Sequence, residues 1–415
     1  AVTDGDAVLV DRNCHKSLNY ALNMSGAMPL YMVPRRNARG LIGPVPLSEM
    51  TPEAIQQKLD DSPLLDDKGT SPVLAVLTNS TYDGLCYNVQ RTTAEFSKTL
   101  PRIHYDEAWY AYARFNPIYE GRYGMHRGER HEDDATVTAT HSTHKLLAAL
   151  SQASMLHIRS GKVPVVPALF IIASTDVSAK MMDDAGEYLT DECLTEAIDF
   201  RQGMVRVREE IIKRDPDDWW FGMWQPDQVD GTDFAGVDPQ KLATRSDAWL
   251  LKPGESWHGF GDLGEDYCML DPIKATVLTP GLSLEGEYEG MGIPAPLVSS
   301  FLSSRGIVVE KTEPYSFLIL FSVGITKGKW GSLVAGLMDF KRAYDANEPL
   351  TRVMPDLVAG ARQRYEGLGL KDLADQMHAA MQETGLLKYM DEAFTVLPDI
   401  AMSPRKTYGE LVKGN

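Results

Sequence analysis

Short apolar, β-rich runs alternate with amphipathic stretches through residues 7–158 of the chain. Runs at 7–10 (Ala-Val-Leu-Val), 30–33, 73–78, 102–105, 136–140 and 155–158 read as strands. Between them, 51–61 and 92–100 show helical spacing, with Thr51 as N-cap and Pro52 at the first helical position. Apolar strands separated by helices predict an α/β fold with a mainly parallel sheet covered on both faces. Ligands of such sheets bind outside the carboxyl ends of the strands, so the polar residues that follow each run matter most.

The pattern changes twice downstream. Residues 183–265 combine a helical run at 194–214 with a tryptophan-rich section, Trp219-Trp220-Phe221-Gly222-Met223-Trp224, and many turn residues, which predicts loops and a connecting subdomain. From Pro272 the order is strand (273–278), helix (295–304), strand (307–310), strand (317–323) and helix (330–344), followed by a mostly helical stretch. That order suits a smaller α+β domain, and the predicted division is 1–270 for the major domain with its subdomain and 271–415 for an incomplete C-terminal domain. Neither an internal repeat nor a low-complexity tract is present.

With 24% charged and 43% hydrophobic residues, the 415-residue chain can bury a large core. Its 58 acidic against 41 basic residues give a net charge of −17, which repels a phosphate backbone and argues against nucleic-acid binding. A cationic small-molecule substrate suits that field. No apolar run approaches the ~20 residues of a bilayer span, nothing at the start resembles a signal segment, and the cytoplasm is the expected compartment. The four cysteines, Cys14, Cys86, Cys193 and Cys268, are widely spaced without a C-x-x-C pair, so they predict reduced, structural thiols. Both ends look cut: an apolar strand begins by Ala7, and the chain stops at Asn415 directly after a helical pattern, as in a segment of a longer protein.

Three strand ends carry candidate chemistry: Thr78-Asn79-Ser80-Thr81-Tyr82-Asp83-Gly84, Asp106-Glu107-Ala108-Trp109 and Thr140-His141-Ser142-Thr143-His144-Lys145. Singly, each also reads as a turn, a helix cap or a solvated lysine. Together they suggest one chemistry, because a lysine that follows hydroxyl and imidazole groups can hold an aldehyde cofactor as a Schiff base. Pyridoxal 5'-phosphate is the candidate. Its ring nitrogen needs an acidic partner, for which Asp106 stands at the right kind of strand end, and its phosphate needs hydroxyl and N–H donors such as Ser142 and its neighbours. The spacing His141-x-x-His144 could instead suggest a metal, but no third ligand stands nearby in the sequence, and no metal is expected.

These strings resemble the bacterial lysine, arginine and ornithine decarboxylases of pyridoxal-phosphate fold type I. The resemblance is carried by Asp11-Arg12-Asn13-Cys14-His15-Lys16-Ser17, Asp106-Glu107-Ala108-Trp109-Tyr110 and His141-Ser142-Thr143-His144-Lys145-Leu146-Leu147. It continues through Trp257-His258-Gly259-Phe260, Leu270-Asp271-Pro272-Ile273-Lys274 and Gly324-Ile325-Thr326-Lys327-Gly328-Lys329-Trp330, in the same order over nearly all of the chain. It implies Lys145 as the Schiff-base lysine, Asp106 paired with the pyridine nitrogen and His15 stacked on the ring. Ser142 and His144 would lie near the phosphate and the substrate carboxylate, with Trp109 and Thr81 walling the cofactor.

The implied reaction is loss of carbon dioxide from a basic amino acid, with the ring taking up the electron pair and a proton then added at Cα. L-lysine to cadaverine leads, because the strings at 219–226 and 310–315 look like lysine decarboxylases. Those at 112–117 and 344–347 look like arginine ones, so arginine or ornithine is the alternative. A homodimer or higher homo-oligomer is implied as well. The family pattern has a Gly-Thr-Ser phosphate loop and a wing domain upstream of Ala1, a longer C-terminal domain, and a longer stretch after Arg159 with a Thr-Ser-Pro segment. This chain alone is accordingly expected to be weak or inactive. Two further readings are a non-catalytic fragment or relative that keeps the fold and a dimer interface, and another fold type I reaction such as transamination.

Overall fold

The computed structural model describes residues 2–65, 71–126, 128, 133–147, 149, 152–162 and 173–414, without the side chains of 173–177. The strands of the first part are β1 (Ala7–Asp11), β2 (Met28–Met32), β3 (Leu74–Thr78), β4 (Leu85–Tyr87), β5 (Arg102–Asp106), β6 (Thr136–His141) and β7 (Met155–Arg159). All but β4 form a sheet ordered β2-β1-β3-β5-β6-β7. The pairs from β2 through β6 are parallel and β7 is an antiparallel edge. This is the mainly parallel α/β sheet that the alternation predicts.

Side-chain alternation explains how both faces are covered. Val8, Val10 and Val76 point to one face, where they pack with Leu22 of α1 (Lys16–Ser25). Ala7, Leu9, Ala75, Leu77 and Ile103 point to the other, with Ile55 of α2 (Pro52–Asp60) and Phe96 of α3 (Val89–Ser97). Thr51 caps α2 by accepting from Ala54 N, and Pro52 opens the helix as expected. Helix α3 begins earlier than its apolar spacing predicts, because Asn88 accepts from Arg91 N and sets the start.

After α4 (Thr143–Leu146), helix α5 runs over Ala173–Arg214, well beyond the predicted 194–214. Gly186 masked its first half in the sequence. A Cβ there would lie 2.8 Å from the Phe115 ring, so close packing on the turn Ala111–Phe115 demands glycine despite its helix cost. The stretch after Arg159 falls between 163 and 172 outside the described residues.

A second sheet gathers the later strands. Strands β8 (Gly222–Met223), β9 (Gln228–Val229), β10 (Thr232–Asp233), β11 (Cys268–Leu270), β12 (Lys274–Leu278), β13 (Lys311–Thr312) and β14 (Ser316–Leu320) follow α5, with α6 (Pro239–Thr244) between β10 and β11. Among them β13-β14-β12-β8 form an antiparallel sheet, while β11 pairs with β4. Helices α7 (Ala295–Ser303) and α8 (Lys327–Asp345) pack on each other through Phe301 and Phe340, whose centroids are 5.1 Å apart. The predicted strand at 307–310 is absent. Ile307 N donates back to Leu302 O after the positive φ of Gly306, Val308 is 83% exposed, and the ladder starts only at Lys311. The remainder is helical: α9 (Leu350–Val353), α10 (Pro355–Gly360), α11 (Arg362–Tyr365), α12 (Leu370–Thr384), α13 (Leu386–Thr395) and α14 (Pro404–Lys413).

Candidate active site at the strand ends

Register brings the polar strand ends into a row. Thr78 pairs with Asp106 across β3 and β5, and Asp106 with Thr140 across β5 and β6, so the three side chains share one face at the carboxyl edge of the sheet. Asp106 Oδ1 accepts from Ala108 N at 3.3 Å, and it is the one Asp106 oxygen hydrogen-bonded among the described residues. His104 lies inside the same row, with its ring nitrogens against the hydroxyls of Thr138 (2.9 Å) and Thr140 (3.2 Å). Burial pulls its imidazolium below the ordinary histidine value, against the attraction of Asp106 and Glu107.

One layer behind, Glu107 is fully buried and completely engaged. Its Oε1 accepts from Asn79 Nδ2 (2.8 Å) and Gly124 N (2.7 Å), and its Oε2 faces His141 Nε2 at 2.9 Å. His141 therefore braces the strand ends, while His144 turns to Ala153, its Nδ1 lying 2.7 Å from the carbonyl oxygen. The two histidines of the H-x-x-H spacing thus have different partners.

Lys145 sits in the last turn of α4, the helix that Ser142 opens, and its N–H donates to Ser142 O. The Ser142 hydroxyl makes no hydrogen bond among the described residues. Lys145 Nζ lies 5.4 Å from the centroid of Trp109, whose ring in turn packs on Tyr82 at 4.9 Å. Partial desolvation draws the Lys145 ammonium below the ordinary lysine value, with Asp106 and Glu310 pulling the other way. Lys145, Trp109 and Asp106 are thus brought together.

Thr81 and His15 stand differently. Thr81 is buried with its polar atoms spent in its own turn, since Oγ1 accepts from Leu85 N and the carbonyl accepts from Gly84 N and Lys274 Nζ. His15 caps α1, its Nδ1 meeting Ser17 N (3.3 Å) and Ser17 Oγ (2.9 Å), and its ring is exposed.

Sequence reasoning passed over three groups as site residues. Asp11, at the end of β1, accepts from Asn13 N (2.8 Å) and Thr78 N (3.2 Å), and complete burial pushes its carboxyl up to about 6. Its strand-end position was the available signal. Tyr82 and the buried Lys274 had weaker ones, since a turn tyrosine and a lysine opening a strand usually face water.

Residues 1–329 match the family model described as Orn/Lys/Arg decarboxylase, major domain. Lysine decarboxylase LdcA of Pseudomonas aeruginosa is 49% identical over 99% of this chain and 55% of its own length. The biodegradative arginine decarboxylase of Escherichia coli K12 is 45% identical over 100% of this chain and 58% of its own. Among solved structures, lysine decarboxylase A from Pseudomonas aeruginosa superposes with a TM-score of 0.91 at 49% identity, covering 100% of this chain and 56% of that one. The chain spans just over half the length of the curated relatives it matches. Because the match takes in the whole parallel sheet and every strand end described above, the chain belongs to the Orn/Lys/Arg decarboxylases, a pyridoxal-phosphate family of fold type I.

Proposed function

We propose that this chain carries the core of a pyridoxal-phosphate-dependent decarboxylase of basic amino acids, with L-lysine as first substrate and arginine or ornithine as the alternatives. The observation that carries the reading is the convergence of the Lys145 amine, the Trp109 face and the Asp106 carboxylate at neighbouring strand ends. The donor set suits the cofactor: a lysine whose ammonium is held below its ordinary value by burial and, among the described residues, a carboxylate with one oxygen unengaged and an unengaged Ser142 hydroxyl. Just after β1, a buried Asn13 Nδ2 that has no partner among the described residues adds a donor.

When bound, the cofactor supplies an electron sink for the bond that breaks at the substrate Cα. The protein's own share is positional. Lys145 would offer a nucleophilic amine, Asp106 would hold a proton at the ring nitrogen, and His15 would cover one ring face. Ser142 and His144 would serve the phosphate and the substrate carboxylate, and Trp109 and Thr81 would form the wall. The net charge of −17 favours approach of a cationic amino acid. The same reading includes a homo-oligomer of at least two chains, a cytoplasmic location and a division into 1–270 and 271–415; among the described residues no helix is long and apolar enough to cross a membrane.

The test is to load the purified chain with pyridoxal phosphate and measure carbon dioxide released from L-lysine, L-arginine and L-ornithine. Release fastest from lysine, at a rate well below that of an ordinary decarboxylase, is expected of this chain alone. Tight, coloured loading without release from any of the three would favour the non-catalytic fragment or relative that keeps the fold and the cofactor site.

A further inference from the structure

A lysine with a fully buried side chain opens β12. An ammonium tolerates such burial only when partners replace its water, and an apolar side chain of similar size is often the more stable choice. Lys274 Nζ donates to Ser80 Oγ at 2.7 Å and to Thr81 O at 3.2 Å. The nearest carboxylate oxygen, Asp271 Oδ2, is 4.0 Å away. Asp271 is itself occupied by the hydroxyls of Tyr112 and Tyr119 and by Ile273 N. The hydrogen bonds of Lys274 are therefore spent on the turn at 78–84 that follows β3.

That turn is held from its other side too. Asp83 pairs with Lys311 at 2.8 Å, and Gly84 O accepts from Asp271 N at 2.7 Å. The Lys274 stem runs so close that a Cβ on Gly84 would lie 2.9 Å from Lys274 Cβ. At the tip of the turn, Tyr82 packs on Trp109 and donates to Glu310 Oε1 at 2.9 Å, and Trp109 presents its ring to Lys145 Nζ.

From this chain of contacts we infer that Lys274 is a positioning residue: through Ser80 and Thr81 it fixes Tyr82, through Tyr82 the Trp109 ring, and so the place of the Lys145 amine. The inference rests on the proposed reading of Lys145 as the reactive lysine, yet it is testable without the reaction. A side chain that merely filled the core would affect stability alone. A positioning one alters the surroundings of Lys145.

The experiment follows acetylation of Lys145 by acetic anhydride against pH in the cofactor-free chain, read by peptide mass spectrometry, in the parent, K274M and S80A. The charges facing the Lys145 amine are Asp106 and Glu310, and neither variant alters them. In K274M the labelling midpoint of Lys145 should rise toward the ordinary lysine value by roughly half a unit or more. S80A should move it the same way by less, and carries the test if K274M does not fold. A lowered urea midpoint with an unchanged Lys145 profile in either folded variant overturns the inference. A shifted profile in a chain whose Lys145 takes no pyridoxyl label from borohydride after cofactor loading would remove the reading of the site and keep the positioning, whereas an unshifted profile in a chain that takes that label would remove the positioning alone.

Discussion

Asp106 is held before any ligand arrives, by its place in the row Thr78–Asp106–Thr140 and by the Ala108 N–H on Oδ1. Asp106→Asn keeps the shape and the acceptor and loses the charge. If Asp106 acts on the ring nitrogen, the variant should still load cofactor, and borohydride should still fix a pyridoxyl label on Lys145 found by peptide mapping. Decarboxylation should nonetheless fall by roughly two orders of magnitude or more, since the lost interaction matters mainly in the transition state. Near-normal turnover would take Asp106 out of that role, and a label on Lys274 or Lys329 would take Lys145 out of its own. Both candidates could be singled out in the sequence because ligands of a parallel sheet bind where apolar strands stop, and the structure brings the two side chains near one another. Lys274 and Tyr82 could not be singled out, because their significance lies in contacts between segments far apart in sequence: Ser80 with Lys274, and Tyr82 with Glu310.

At the scale of elements, local spacing located every strand of the large sheet but not the antiparallel sense of β7, which depends on pairing rather than on pattern. It also missed the first half of α5 and the β4–β11 pair, where long-range packing prevails over local propensity. Helix α5 is fastened to the second sheet and the loops beside it through Arg201. That guanidinium is fully buried and donates to Pro272 O (3.0 Å), Lys274 O (2.9 Å), Trp224 O (3.3 Å) and Gln225 Oε1 (3.2 Å). Burial lowers its pKa to about 9, with Asp271 and Tyr119 opposing. Arg201→Met fills the space and leaves those acceptors in a dry core, so urea unfolding should show a loss of about 3–5 kcal/mol. A loss below ~1 kcal/mol would mean that α5 is fastened by its apolar contacts alone.

Over the whole molecule, acid should be destabilising, and the sign follows from which state binds more protons. Burial holds the imidazolium of His126 down to about 4, with Arg159 adding to the effect, and that of His157 down to about 4, with His141 adding. Between about 4 and 6.5 the unfolded chain therefore takes up protons that these native rings refuse, and stability falls as pH drops through that window. His104 and His258, also lowered by burial, act in the same direction. Asp11 opposes them. With its native carboxyl raised to about 6 from 3.8, it binds its proton more readily folded than unfolded, so its contribution grows as pH falls over that range. Four rings against one carboxyl predict a net loss. His157 offers the cleanest check, because its Nε2 is buried without a partner among the described residues and its ring packs 4.5 Å from that of His141. His157→Phe should cost little at pH 7.5 and, after allowing for solvent screening of a ring that is not fully enclosed, recover about 1 kcal/mol of the loss at pH 5. Asp11→Asn should instead steepen the loss. Urea denaturation of the three proteins at pH 7.5, 6 and 5 decides the matter, and parallel pH dependences for parent and His157→Phe would remove this ring from the account.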